Sequence, residues 1–184
     1  KTNEIALVDD IVFSSILKKS NPRIRFRFHR CLSSAISQKN KKLIEYIFKE
    51  KAPNDNELFE AVETKDISIV DLVLKYNSKP SFINRKTPQG TALITSYVIN
   101  SIDIFKHLLS IPGIDATLTN EKSQNCLSLA IQNHDLQTVD LILDHFGDNI
   151  QSQMWVIYKS FNELSTEISN SINSNDNLWQ IVSR

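Results

Sequence analysis

Four nineteen-residue windows of this chain align with one another without a gap, and that repeat limits the fold more than any other feature. They are Arg30–Phe48, Asn56–Leu74, Thr91–Leu109 and Asn125–Leu143, starting 26, 35 and 34 residues apart. The third column is always Leu (Leu32, Leu58, Leu93, Leu127), and the sixth is small (Ala35, Ala61, Ser96, Ala130). The fifteenth is Ile44, Val70, Phe105 and Val139; the nineteenth is Phe48, Leu74, Leu109 and Leu143. Between them the thirteenth is polar throughout: Lys42, Ser68, Asp103 and Gln137. Apolar residues at helical spacing, a polar break such as Gln38-Lys39-Asn40 and a second apolar face predict two short helices per window. Neither helix is long enough to stand alone. Side-by-side stacking of the hairpins buries both flanks, and the small column allows close approach. The expected fold is an all-α helical solenoid of four to five helix pairs.

Composition agrees. Three Gly and five Pro are too few for a loop-rich or all-β chain, and 41% hydrophobic residues suffice for a continuous core. One domain is expected over 1–184: an N-terminal cap and basic connector at 1–29, four repeats at 30–147, and a C-terminal cap and tail at 148–184. Ile5, Val8, Val12, Ile16 and Leu17 predict the first cap helix; Met154, Trp155, Tyr158, Phe161, Leu164, Ile168 and Ile172 predict the second. No stretch reaches eighteen apolar residues, and no basic-then-apolar leader opens the sequence. Two Cys do not make a disulfide framework. The expectation is an intracellular, cytoplasmic protein without a membrane span.

The connections carry the family resemblance. Ser110-Ile111-Pro112-Gly113-Ile114-Asp115-Ala116 follows the third window, and Thr87-Pro88-Gln89-Gly90 leads into Thr91-Ala92-Leu93. Connections of about fifteen residues with Gly and Pro at the bends suit a projecting hairpin finger. The chain resembles the ankyrin repeat family: residues 112–116 are similar to its Gly-Ala-Asp-Val-Asn finger, and Gly90-Thr91-Ala92-Leu93 to its Gly-x-Thr-Pro-Leu-His helix start, one residue short. The resemblance covers 30–147, with departures. The family's His is replaced by Ser33, Phe59, Ile94 and Ser128, and its inter-helix Gly by Lys39, Lys65, Asn100 and His134. The first connection, Lys49–Asp55, is too short for a full finger. Another helical-repeat solenoid is the alternative architecture.

What the resemblance implies is a protein-binding scaffold without catalytic activity or cofactor, making contact through finger tips and the inner face of the first helices. Carried onto this sequence, the fingers offer Arg85, Lys86, Thr87, Pro88 and Gln89, then Asn120, Glu121, Lys122 and Ser123. The first-helix ends offer Ser37-Gln38, Glu63-Thr64, Val98-Ile99 and Gln132-Asn133. Only Val98 and Ile99 are apolar in that column pair. They are either a binding hot spot or residues packed on the adjacent finger.

The sequence carries no signature of other chemistry. No phosphate-binding glycine loop, H-E-x-x-H or Cys-x-x-Cys occurs. His107, His134 and His145 occupy different places in the repeat, so no metal site is expected. Cys31 and Cys126 share the second column three repeats apart, roughly 25–30 Å at helix-packing spacing, so no internal bridge is expected either.

Charge supplies the second functional reading. The net charge is zero, yet residues 18–51 carry eleven basic side chains against two acidic, a net +9, and residues 52–184 sum to −7. In Pro22-Arg23-Ile24-Arg25-Phe26-Arg27-Phe28 cations and apolar residues alternate; in an extended chain Arg23, Arg25 and Arg27 share one face. With Lys41 and Lys42 they form a candidate anion-binding set for nucleic acid or an anionic surface. The opposing reading is a half-buried connector.

Overall fold

A computed structural model describes residues 22–53 and 56–147, together with Tyr158, Asn162, Ser165 and Thr166; the side chains of 22–29 and 50 lie outside that description. The regular secondary structure of the described residues is helical, with one isolated bridge between Thr87 and Gly90 and no strand. The helices are α1 (Pro22–Ser37), α2 (Lys41–Glu50), α3 (Glu57–Glu63), α4 (Ile67–Tyr76), α5 (Pro80–Ile83), α6 (Ala92–Val98), α7 (Ile102–Leu109), α8 (Cys126–Gln132) and α9 (Leu136–Phe146). The chain falls into two compact units, 1–82 and 83–184.

Each window of the sequence alignment is one helix hairpin. In the first unit α1 packs on α2, α3 on α4, and the hairpins lie side by side through α1 against α3 and α2 against α4. In the second unit α6–α7 and α8–α9 pair likewise, with α6 beside α8 and α7 beside α9. First helices thus form one layer and second helices another within each unit. The Leu column is buried at every repeat, as is the small column. Burial of each such Leu contributes about 1.5–3 kcal/mol. Ser96 takes the place of Ala because its hydroxyl is satisfied internally, donating to the Leu93 carbonyl at 2.7 Å. In the fifteenth column Ile44, Val70 and Phe105 are buried and Val139 is half-buried.

The turn inside each hairpin explains an apparent departure. Lys39, Lys65, Asn100 and His134 hold the tenth column, and all four have left-handed backbones, with φ of 55°, 55°, 54° and 55°. Their amides donate to the carbonyls of Ile36, Val62, Tyr97 and Ile131 at 2.9–3.0 Å. In three repeats the next amide closes the Schellman pattern onto the small column: Asn40 to Ala35, Ser101 to Ser96 and Asp135 to Ala130, at 2.9–3.0 Å. In the second, the Asp66 amide reaches Thr64 Oγ1 at 3.3 Å. The eleventh column then caps the second helix. Asn40, Asp66 and Asp135 accept from the amides of Leu43, Ser68 and Thr138, whereas Ser101 stands at the same place without such a bond. Glycine is absent from these turns, but the conformation that favours it is kept.

Two expectations change. The connection after α4 is not a plain hairpin finger: it contains the helical turn α5 before the tight turn Thr87–Gly90. Pro22–Ser37 is helical, so Arg23, Arg25 and Arg27 do not follow an extended backbone. In helical register positions 23 and 27 share a face, and position 25 falls about 200° away. The cap at 4–19 lies outside the described residues. Of the second cap, Tyr158 is helical and exposed, and the other named positions lie outside them.

A left-handed non-glycine residue costs roughly 1–2 kcal/mol, partly offset by the entropy that glycine loses on folding. Lys65→Gly and His134→Gly should therefore each raise stability by about 0.5–1 kcal/mol, and Asn100→Gly by less because Asn tolerates this region. Lys65→Val should destabilise. Urea unfolding midpoints measure all four, and loss of stability in both glycine variants would contradict the assigned turn.

Candidate functional site

In the second unit the candidate residues lie on three neighbouring features: two finger turns and the C-terminal ends of α6 and α8. The first finger turn is closed by the Thr87 amide donating to the Gly90 carbonyl at 2.8 Å and the Gly90 amide donating to the Thr87 carbonyl at 2.9 Å. Gly90 is required, for its φ is 120° and an added Cβ would stand 2.7 Å from Ile94 Cδ1. Lys86, Pro88 and Gln89 are exposed at this turn; Arg85 and Thr87 are half-buried.

Asn120 builds the second finger turn. Its Oδ1 accepts from the amides of Lys122 at 3.0 Å and Gln124 at 2.9 Å, while its own amide donates to the Gln124 carbonyl at 2.9 Å. Glu121 and Lys122 project into solvent from that turn. The two fingers touch through the Glu121 amide, which donates to the Pro88 carbonyl at 3.2 Å. Nearer the base, Asn84 Nδ2 donates to the Gly113 carbonyl at 2.7 Å and Asn84 Oδ1 accepts from the Asp115 amide at 2.9 Å. The second finger is tied to the helix layer by Gln124 Nε2, which donates to Gln132 Oε1 at 3.0 Å.

The helix ends are joined by Tyr97. Its hydroxyl accepts from Asn133 Nδ2 at 3.0 Å, lies 3.4 Å from the Leu129 carbonyl as donor, and its ring meets Phe105 edge-on at 6.1 Å. Burial pushes the Tyr97 phenol above its ordinary value, against the opposing bond from Asn133, so it stays a neutral donor. Val98 beside it is 67% exposed, and Ile99 is half-buried. Val98 thus lacks the finger packing that the second sequence reading offered. The structure brings Glu121 to the first finger, Gln132 to the second and Asn133 to Tyr97. Tyr97, Asn120, Gln124 and Asn84 organise this surface; of these the sequence offered only Asn120, as a finger residue. Only the Asn residues at bends carried a local signal for it.

The anion-binding candidates lie in the first unit. Lys41 and Lys42 are exposed at the start of α2. Asp66 faces this basic end: Lys39 Nζ lies 3.7 Å from Asp66 Oδ2. Hydrogen bonds from Ser68 hold the Asp66 carboxyl below its ordinary value, with partial burial opposing and the charges of Lys39 and Lys41 assisting. Part of the local cationic field therefore already has a partner. The pair joins an exposed Lys39 to a half-buried Asp66 and is worth little by itself.

Among the described residues no group of three or more His, Cys, Asp or Glu is placed to hold a metal ion. No described helix is long and apolar enough to cross a membrane. Cys31 and Cys126 are free thiols, and burial pushes the Cys126 thiol well above its ordinary value, away from nucleophilic character. Comparison with family models, curated proteins and solved structures finds no match.

Asp66→Ala should lower stability at pH 7 by about 1 kcal/mol through loss of the α4 cap. Its folded-state pKa is depressed, so the charge-dependent part is present above the unfolded value near 3.9 and is lost as pH falls through the lower folded value. The gap between wild type and variant, read from urea midpoints, should hold from pH 7 to about 5 and narrow below about pH 4. A gap that widens in acid would contradict this.

Proposed function

We propose that this chain is a protein-interaction module of ankyrin type, without a catalytic step of its own, that binds a partner protein inside the cell. Its contact surface comprises the finger turns Thr87–Gly90 and Asn120–Gln124 and the ends of α6 and α8. The observation that carries the reading is the joining of the fingers to each other and to α8, through Glu121, Pro88, Gln124 and Gln132, beside an exposed Val98. Fingers fixed by backbone and amide bonds lose little entropy on binding, which favours a preorganised contact surface. An exposed apolar residue in a column otherwise held by Ser37, Glu63 and Gln132 is the kind of anchor that interfaces bury. The ankyrin assignment rests on this surface together with four hairpins that share one turn conformation and buried small columns.

The competing proposal, a binder of nucleic acid or an anionic surface through 18–51, has less behind it. The helical backbone of Pro22–Ser37 separates position 25 from 23 and 27, and Lys39 is paired with Asp66. Exposed Lys41 and Lys42 are its remaining support.

A photoreactive side chain placed in turn at positions 86, 98 and 133, and at Gln137 as a control, tests the surface. Crosslinking of one protein species in native lysate at 86, 98 and 133 but not at 137 is expected, with loss on Val98→Asp. Equal crosslinking at all four positions, or capture unchanged by Val98→Asp, would sink this assignment. Retention on heparin that falls steeply with salt would favour the competing proposal.

A further inference from the structure

Thr87 is the only Ser or Thr in the chain that directly precedes a proline. It opens the first finger turn, with Lys86 before it and Pro88 and Gln89 after it all exposed. Its hydroxyl donates from Oγ1 to the Gly90 carbonyl at 3.0 Å. We propose that Thr87 is a phosphorylation site for a proline-directed serine/threonine kinase, and that the phosphate opens the finger turn.

The acceptor side fits such chemistry. Proline at the following position has no backbone N–H, so that position brings no donor needing a partner in a kinase groove. In the transfer, Thr87 Oγ1 attacks the γ-phosphorus of magnesium-bound ATP and an Oγ1–P bond forms. The bond from that phosphorus to the ADP oxygen breaks, and the hydroxyl proton passes to the kinase's catalytic base. Lys86 lies next in sequence and offers the product a cation.

The consequence follows from the bond that is lost. Phosphorylation removes the hydroxyl proton given to Gly90 and replaces it with acceptor oxygens carrying nearly two negative charges. Those oxygens then face a carbonyl that also only accepts, so attraction becomes repulsion. Gly90 has little room to adjust, because it is packed against Ile94 and held at a φ of 120°. Movement therefore falls on Thr87 and Pro88. The Pro88 carbonyl accepts the Glu121 amide, so a displaced turn also loosens the second finger, with a like charge on the Glu121 side chain.

The modification is independent of the partner-binding reading, and its test needs no partner. The full chain and a peptide spanning 82–92 are incubated with ATP, magnesium and a proline-directed kinase, then mapped by fragmentation mass spectrometry and amide exchange. Expected is one phosphate at Thr87 of the folded chain, formed within about tenfold of the peptide's rate, as for a surface turn whose local opening costs far less than global unfolding. Thr87→Ala and Pro88→Ala should abolish it while circular dichroism remains helical. Exchange at the amides of Gly90 and Glu121 should quicken once phosphate is present. A peptide modified while the folded chain is not, or neither modified, overturns the site. Stoichiometric phosphate with unchanged exchange at both amides overturns the opening.

Discussion

Each helix hairpin reverses through one left-handed residue whose amide bonds back to the helix it ends, and the other features of the repeat are set by that reversal. The tenth-column residue fixes where the first helix stops, and in three repeats the following amide bonds to the small column. That column is therefore constrained twice. It must be small for neighbouring first helices to approach, and its carbonyl must lie where the turn amide can reach it. The eleventh column follows directly, since the residue after the left-handed turn is placed to cap the second helix. Asn40, Asp66 and Asp135 serve there with side-chain oxygens.

Within such hairpins the apolar columns have little freedom, and variation moves to the connections. The second unit makes most of this freedom. Its fingers are built from neutral Asn and Gln side chains that bond to backbone and, at Gln124 and Gln132, to each other, which holds their shape without long-range electrostatics. Charged residues at the tips, Lys86, Glu121 and Lys122, remain exposed for other uses.

Much of the repeat was legible in the sequence because its signals are local and recur. The Leu and small columns, the polar breaks and the hairpin boundaries all follow from helical spacing compared across windows, and all four pairs of helices lie where that comparison places them. Other features were not legible. The tenth column looked like lost glycine, since left-handed backbone at Lys65 or His134 leaves no mark in composition; only the shared register reveals it. The alternation at Arg23–Phe28 resembled an extended stripe, yet Pro22–Ser37 extends the first helix upstream of the aligned window. Alternation over six residues is too short to distinguish the two periods. The finger network was hidden for a different reason: Tyr97 with Asn133, and Asn84 with Asp115, meet across 36 and 31 residues of chain. The exposure of Val98 likewise depends on neighbours that sequence spacing does not give.

The common turn is the claim on which the rest stands, and backbone φ is its direct observable. Three-bond amide-to-α-proton couplings, with Cα and Cβ shifts, should place Lys39, Lys65, Asn100 and His134 together in the left-handed region. One or more of them in the right-handed helical region would contradict the shared register and the repeat built on it.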